Sequence, residues 1–283
     1  IQLEKSVIAY QESNDKKNDK TIICMHGWLE DHRYFTDIYN ADNGELILLN
    51  SSGYYAPNTE IKPETAAWSV NIKHDKYTIE YDASILVSAV ENLATTTNLI
   101  LHGHSRGGAV ILEAIKQKPE LFKNAQVILE AAILPETRIG INPNLPPILN
   151  KLLTKIVYYP FPFIAAILAR RPFPKKMLQS MKPLSDRKTE VLSGLFNNAS
   201  SPGVLVKNIY NIMDWPQKNS TDIFDLIKDG YILIGSSDGV LSRTSMIKSA
   251  NKNKGNLDVI LTKNSSHFVS LDLPDQVKKL KFL

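Results

Sequence analysis

Cysteine is almost absent from this sequence, since Cys24 is the one cysteine among its 283 residues. An intrachain disulfide is therefore excluded. Cys24 lies in an apolar run and is expected to pack as a small hydrophobic side chain. Long apolar runs are also missing, because a membrane-spanning helix needs roughly 20 apolar residues. The nearest candidate, Ile156–Ala169, is shorter and is interrupted by Pro160 and Pro162.

Neither sign of charge dominates the composition. Lys and Arg number 33 and Asp and Glu 29, which gives a net charge of +4. A mildly basic balance does not indicate a nucleic-acid-binding protein. Hydrophobic residues at 43% and charged residues at 22% are typical of a folded globular protein. The single cysteine is compatible with the cytoplasm, which is the expected location.

Short apolar runs that end in glycine-containing turns alternate with helical patterns. The runs are apolar at successive positions, as in strands of a parallel sheet that is covered on both faces. The predicted strands are Thr21–Met25, Leu46–Leu49, Leu99–Leu101, Gln126–Leu129, Tyr231–Ile234 and Leu257–Leu261. The predicted helices of this part are Thr78–Leu93, Gly107–Lys118, Asp222–Lys228 and Pro274–Leu280. This alternation predicts an α/β protein with a doubly wound, mostly parallel sheet.

One segment interrupts the alternation. Residues 135–216 contain many prolines and helical patches but no clear strand, which indicates a helical insertion into a core domain of residues 1–134 and 217–283. The plausible short helices within it are Ile148–Val157, Lys175–Met181, Asp186–Phe196 and Val204–Met213.

The strongest chemical signal is the pattern Gly-x-Ser-x-Gly in residues 103–107, between a predicted strand and a predicted helix. In this context the central residue, Ser105, is expected on a turn so tight that flanking glycines are needed to relieve the crowding. Such a turn lifts the serine hydroxyl clear of the sheet and aims the N-terminus of the next helix at a developing oxyanion. The pattern therefore predicts a nucleophilic serine.

With this motif, the chain resembles the α/β-hydrolase superfamily across nearly its whole length. Three further motifs stand in the order that this fold uses: Met25-His26-Gly27-Trp28, Gly235-Ser236-Ser237-Asp238-Gly239 and Ser265-Ser266-His267-Phe268. The resemblance implies a catalytic triad of Ser105, Asp238 and His267. It also implies an oxyanion hole formed by the backbone N–H groups of Trp28 and Arg106. The turn Asn50-Ser51-Ser52-Gly53-Tyr54 departs from the charged Asp-x-Arg-Gly turn that many relatives carry at this place.

The roles follow from acid–base chemistry. A serine hydroxyl needs a base within hydrogen-bond reach, and neutral His267 can take its proton and return it to the leaving group. A carboxylate holds the imidazole in the right tautomer. Asp238 is the favoured acid, although Asp-Gly pairs commonly form turns. Glu130 is the alternative, because some members of the fold place their acid after that strand, and Glu136 is a weaker one.

In relatives, the insertion after Gln126–Leu129 forms a cap over the active site and sets substrate choice. Its middle is apolar and aromatic here, which predicts a hydrophobic substrate and gives Tyr158, Phe161 and Phe163 as candidate binding residues. His104, beside the nucleophile, is a further candidate for the floor of the pocket. Because basic residues accompany the apolar ones, the cap is also a candidate for weak contact with a membrane surface.

These features predict a serine hydrolase that cleaves a carboxylic ester or thioester with a hydrophobic part. No zinc signature and no phosphate-binding loop is present in the sequence, so neither a metal nor a cofactor is expected. Other chemistry remains open on the same fold: C–C bond hydrolysis, lactone hydrolysis, perhydrolysis and hydroxynitrile cleavage. A hydrolase fold that only binds a ligand is a second class of function, and an apolar cap that serves as a dimer interface is a third.

Overall fold

A computed structural model gives the architecture of the chain. It describes residues 1–54 without 16 and 18, residues 62–137, 181–193 and 201–280, and the positions 145, 146, 148, 149, 152, 153, 156 and 160. Every structural statement below concerns these residues.

The centre of the molecule is an eight-stranded sheet in the order β1-β2-β4-β3-β5-β6-β7-β8. The strands are β1 Gln2–Leu3, β2 Ser6–Gln11, β3 Lys20–Met25, β4 Glu45–Leu49, β5 Asn98–His104, β6 Gln126–Glu130, β7 Asp229–Gly235 and β8 Leu257–Thr262. β1 and β2 pair antiparallel at one edge, and the six strands from β4 to β8 in this order run parallel. Their carboxyl ends therefore lie along one edge of the sheet, where ligands of open α/β folds bind.

Helices cover both faces of this sheet and connect its strands. They are α1 Ile79–Leu93, α2 Arg106–Gln117, α3 Pro119–Phe122, α4 Asp186–Ser193, α5 Pro202–Lys218, α6 Arg243–Lys252, α7 Val269–Asp272 and α8 Pro274–Val277. Turns of 3-10 helix occupy His32–Phe35 and Thr221–Leu226. The chain thus has the doubly wound α/β architecture that its alternating sequence pattern predicts.

Successive side chains of each central strand point to opposite faces of the sheet, so the core consists of two layers. Ile23, Leu101 and Val127 belong to the cluster on one face of the sheet. Ile22 and Ile100, one residue earlier on their strands, belong to the cluster on the other face. Because both sets are almost completely buried, these strands must be apolar at successive positions, as the sequence indicates.

The predicted core strands and helices are present, with three corrections. β8 lies at the edge of the sheet, so Leu261 is 49% exposed and the expected burial on both faces is wrong there. The predicted helix Asp222–Lys228 is a 3-10 turn, Thr221–Leu226, after which the chain enters β7. The helix Arg243–Lys252 was not predicted, because its sequence is mostly polar and only a short stripe, including Met246 and Ala250, is buried.

The insertion follows β6 and rejoins the sheet at β7. α5 confirms and extends the helix predicted at Val204–Met213, and α4 lies within the helix predicted at Asp186–Phe196. α5 packs on the core through the fully buried Trp215, whose indole N–H donates to Glu113 at 2.9 Å. Half of Ile148–Val157 and nearly all of Lys175–Met181 lie outside the described residues.

Candidate functional site

The predicted nucleophile sits on a strained turn between β5 and α2. Ser105 has φ 52° and ψ −117°, a backbone conformation that residues with a side chain rarely adopt. Its N–H donates to the Glu130 carbonyl at 2.9 Å, and its own carbonyl accepts the N–H of Gly108 at 3.1 Å and of Ile133 at 3.0 Å. The side chain is 7% exposed. This is the strand–turn–helix context that the Gly-x-Ser-x-Gly pattern requires.

Close packing against the end of β3 explains why residue 107 is a glycine. A Cβ atom on Gly107 would lie 1.9 Å from the carbonyl oxygen of Met25, at the end of β3. No side chain fits there without moving one backbone segment away from the other. Gly107 thus lets the start of α2 approach the loop that carries Trp28.

The structure brings together two of the three predicted triad residues. Asp238 follows β7, His267 follows β8, and Asp238 Oδ2 lies 2.8 Å from His267 Nδ1. The other carboxylate oxygen accepts the N–H groups of Val240 and Leu241 at 2.8 and 2.9 Å. Burial opposes ionisation of Asp238, but His267 and these N–H groups outweigh it and hold the pKa of the carboxyl below its usual value.

This contact settles which nitrogen of His267 is available as a base. A carboxylate only accepts hydrogen bonds, so Nδ1 carries a proton, and in a neutral ring Nε2 is the nitrogen with the free lone pair. In the described conformation the hydroxyl of Ser105 makes no hydrogen bond to His267. Such bonds are often long before substrate binds and tighten in the reacting complex.

Glu130, the alternative acid, has other partners. Its carboxylate lies 2.9 Å from His102 Nε2 and accepts the Tyr34 hydroxyl at 2.5 Å. It also accepts the N–H of Ser270 at 2.6 Å and the Ser270 hydroxyl. Burial opposes its ionisation, yet His102 and the other donors hold the pKa of Glu130 at about 2. Among the described residues, Asp238 is the carboxylate hydrogen-bonded to the predicted catalytic histidine, and Glu130 is part of the core.

The loop after β3 is fixed by buried hydrogen bonds. His26 Nε2 accepts the N–H of Ser51 at 3.0 Å, and its Nδ1 lies 2.7 Å from the Gly27 carbonyl oxygen. One nitrogen therefore accepts and the other donates, so His26 is neutral, in agreement with the lowering of its pKa by burial. The next residue is Trp28, and its assignment to an oxyanion hole with Arg106 stays a prediction.

The side chain of Arg106 has a structural role that the sequence did not indicate. The guanidinium is fully buried and lies 2.8 Å from the Asp82 carboxylate on α1. It also donates to the Ser51 hydroxyl at 3.1 Å, while the Ser52 N–H donates to Asp82 at 2.9 Å. The polar turn at Asn50-Ser51-Ser52 thus contacts an ion pair whose charges come from other elements.

The imidazole of His104 has two polar partners. It is fully buried, with Nδ1 2.8 Å from Glu30 Oε2 and Nε2 3.0 Å from the His267 carbonyl oxygen. Both nitrogens have protein partners, and the assignment of His104 to the floor of the substrate pocket stays a prediction. Tyr158, Phe161 and Phe163 lie outside the described residues, so their assignment to the substrate pocket stays a prediction.

A lysine of α4 forms a buried link to the histidine loop. Lys188 Nζ lies 2.6 Å from Asp272 Oδ1 and 2.8 Å from the hydroxyl of Ser266, the residue before the predicted catalytic histidine. It also donates to the carbonyl oxygens of Met181 and Pro183 at 2.7 and 2.9 Å. Sequence reasoning assigned Lys188 only to the basic residues of the cap, because nothing local indicates a partner 84 residues away.

Comparisons with known proteins agree on the fold. No protein-family model and no curated protein sequence matches the chain. Solved structures do match. An esterase from Exiguobacterium antarcticum has 18% sequence identity and a TM-score of 0.67 over 97% of this chain and 92% of its own. MenH from S. aureus has 17% identity and a TM-score of 0.63 over 98% and 97%. An esterase from Thermogutta terrifontis has 14% identity and a TM-score of 0.62 over 97% and 90%.

The sheet order, the turn at Ser105 and these neighbours define the class: the chain has the α/β-hydrolase fold.

Proposed function

We propose that the chain is a serine hydrolase that cleaves a carboxylic ester or thioester with a hydrophobic acyl or alcohol part. The observation that carries the proposal is the hydrogen bond between Asp238 and His267 at 2.8 Å, at the edge of the sheet where Ser105 sits on its strained turn. Solved structures of this fold that are described as esterases favour ester chemistry over the alternatives.

The mechanism follows from these positions. Ser105 Oγ attacks the carbonyl carbon while His267 Nε2 takes the hydroxyl proton, and Asp238 stabilises the imidazolium that forms. The N–H groups of Trp28 and Arg106 would receive the oxyanion. The imidazolium then gives its proton to the leaving alcohol or thiol, which departs as the carbonyl reforms. Water repeats the two steps on the acyl-enzyme and releases the acid.

The apolar character of the substrate rests on the sequence of the insertion. Other neighbours on this fold are described as degrading an N-acyl homoserine lactone and as an N-formylmaleamic acid deformylase. A lactone or an amide is therefore an alternative substrate for the same residues, and fold alone does not choose among them.

The test combines an active-site probe with a substrate series. A fluorophosphonate is expected to label the wild type and not Ser105→Ala, and p-nitrophenyl esters are expected to react faster as the acyl chain grows from acetyl to octanoyl. A wild-type chain that takes no label would indicate the ligand-binding alternative. Labelling without chain-length preference would leave the hydrolase and remove the apolar acyl pocket.

We further propose a weak contact of the insertion with membrane surfaces. Ile148, Leu149, Leu152, Leu153 and Ile156 recur at helical spacing and are exposed, Ile148 at 86% and Ile156 at 59%. From Arg138 to Ser185 the sequence has eight Lys and Arg residues and no Asp or Glu. Apolar and basic residues together favour anionic lipid.

In the described part of the chain, no helix is long and apolar enough to cross a bilayer. A cytoplasmic location stays a prediction.

A further inference from the structure

Behind the nucleophile turn lies a buried ion pair that the proposed mechanism does not use. His104 Nδ1 lies 2.8 Å from Glu30 Oε2, and the two side chains are 0% and 3% exposed. Charged groups are rarely buried unless they are paired, and removing one partner leaves a costly unpaired charge. Because His104 directly precedes Ser105, the burial of this pair beside the nucleophile needs an explanation.

The hydrogen bonds of His104 determine its protonation state. Nε2 lies 3.0 Å from the main-chain carbonyl oxygen of His267, which can only accept, so Nε2 carries a proton. Nδ1 faces the carboxylate of Glu30, which is also an acceptor when ionised. The ring is therefore a doubly protonated imidazolium. Burial opposes the charge, but Glu30, Glu130 and the two hydrogen bonds outweigh it and raise the pKa of His104 to about 9.

The carboxylate extends the pair to the loop of Trp28. Glu30 Oε2 also accepts the N–H of Gly27 at 2.8 Å. A Cβ atom on Gly27 would lie 2.9 Å from that oxygen and 3.0 Å from His104 Nδ1, so a side chain there would displace the pair. One carboxylate oxygen thus joins the loop after β3 to the end of β5.

Three rings pack around the imidazole of His104. Tyr34 stacks on its ring with centroids 4.3 Å apart and planes 11° apart, and Tyr34 in turn donates to Glu130. The ring of His267 lies 4.8 Å from that of His104, centroid to centroid, and Phe268 lies at 5.7 Å. The charged and titratable groups that face His104 are Glu30, Glu130, Tyr34 and His267.

We propose that Glu30 and His104 are positioning residues, which hold the Gly27-Trp28 loop, the turn of Ser105 and the backbone of His267 in one arrangement. This inference rests on the proposed function, since it assigns the pair to the alignment of that site.

A matched control exists on the same strand. His102, two residues before His104 on β5, is equally buried and forms the same kind of pair with Glu130 at 2.9 Å. Its other nitrogen lies 2.8 Å from the Tyr39 hydroxyl, so its ring bonds neither to Gly27 nor to His267. His102→Gln therefore removes a buried histidine–glutamate pair and leaves the direct bonds of Glu30 and His104 to Gly27 and His267 in place.

The experiment compares Glu30→Gln, His104→Gln and His102→Gln. We measure kcat and KM for a p-nitrophenyl ester, and the backbone amide resonances of Gly27 and His267 by NMR. Glu30→Gln and His104→Gln are expected to lower kcat on the order of 10²-fold with KM little changed, because misplacement by about 1 Å costs that much. They should also shift the backbone amide resonances of Gly27 and His267, since the pair contacts the N–H of one residue and the carbonyl oxygen of the other. His102→Gln is expected to lower the unfolding temperature and to leave kcat and these resonances little changed.

Two outcomes overturn the proposal: His102→Gln lowers kcat as much as His104→Gln does, or the amide resonances of Gly27 and His267 are the same in wild type and His104→Gln. If His104→Gln does not fold, Glu30→Gln decides, because its amide keeps the shape and loses the charge. If Glu30→Gln and His104→Gln are fully active and Ser105→Ala is inactive, the positioning role is refuted and the proposed hydrolase function stands. If the wild type hydrolyses no ester, the proposed function fails, and the amide resonances of Gly27 and His267 still decide whether the pair positions these segments.

Discussion

Lys188 Nζ lies 2.6 Å from Asp272 Oδ1, which joins helix α4 to helix α7, just after the predicted catalytic histidine. Both side chains are almost completely buried. Asp272 in turn accepts the N–H and the hydroxyl of Ser266, both at 2.7 Å. The loop of His267 is therefore held partly by a residue of the insertion.

Lys188→Met is expected to lower the free energy of unfolding by about 3–5 kcal/mol, because it leaves the Asp272 carboxylate buried without its cation. Arg187→Met is the matched control, since Arg187 also ties α4 to the core but through partly exposed bonds to Asp37 and Thr36. Exposed pairs contribute about 0.2–1 kcal/mol each. Urea denaturation measures both variants. Equal losses would show that Lys188 is no more important than a surface contact.

Substitution of the predicted triad is expected to abolish turnover without unfolding the chain. Ser105→Ala or His267→Gln should lower kcat on the order of 10⁶-fold, and Asp238→Asn on the order of 10⁴-fold, in line with comparable triads. Glu130→Gln is the control among carboxylates, with an expected effect on stability rather than on kcat. If Glu130→Gln were as inactive as Asp238→Asn, the assignment of the acid to Asp238 would be wrong.

The stability of the fold is expected to fall in mildly alkaline solution because of His104. Its pKa in the folded chain, about 9, lies above the value of about 6.5 in an unfolded chain. The protonated form is therefore stabilised by folding; the contribution is complete below about pH 6.5 and is lost as the pH rises through 9. The full loss is on the order of 3 kcal/mol. Guanidinium denaturation between pH 6 and pH 9.5 measures how the free energy of unfolding changes with pH. His104→Gln should weaken this dependence.

Glu130 is expected to make the stability of the fold depend on pH in acidic solution. Its pKa of about 2 lies below the usual value of 4.5, so its contribution is complete above about pH 4.5 and is lost as the pH falls towards 2. Acid denaturation followed by circular dichroism measures the midpoint. Glu130→Gln should make the remaining unfolding less dependent on pH in this range. A wild-type curve that is flat between pH 4.5 and pH 2 would contradict the low pKa.

The membrane proposal has a direct binding test. The double variant Ile148→Ser with Ile156→Ser should reduce cosedimentation with vesicles of mixed phosphatidylcholine and phosphatidylserine, and salt should reduce it for the wild type. Leu261→Ser and Val240→Ser, which change residues that are 49% and 57% exposed outside the insertion, are controls and should bind as the wild type does. No sedimentation of the wild type with anionic vesicles would refute the contact.

The strands and the chemical motifs were predictable because they depend on local rules. Apolar runs such as Thr21–Met25 identify strands that are buried on both faces, and the Gly-x-Ser-x-Gly pattern identifies the turn of Ser105. The helix Arg243–Lys252 was missed because its polar sequence gives a weak pattern and its few contacts come from the rest of the fold. Glu30 was not singled out, although it follows His26-Gly27-Trp28 closely, because its partner His104 is 74 residues away.

The sequence by itself determined the α/β class, the order of the motifs and the residue types that could react, since periodicity and turn geometry are properties of neighbouring residues. Only the tertiary structure decided which carboxylate meets His267, that Glu130 belongs to the core, and that His104 is a buried cation paired with Glu30. Those outcomes depend on distances between segments far apart in the chain and on burial, because solvent exclusion and the nearest charges set the protonation of each group.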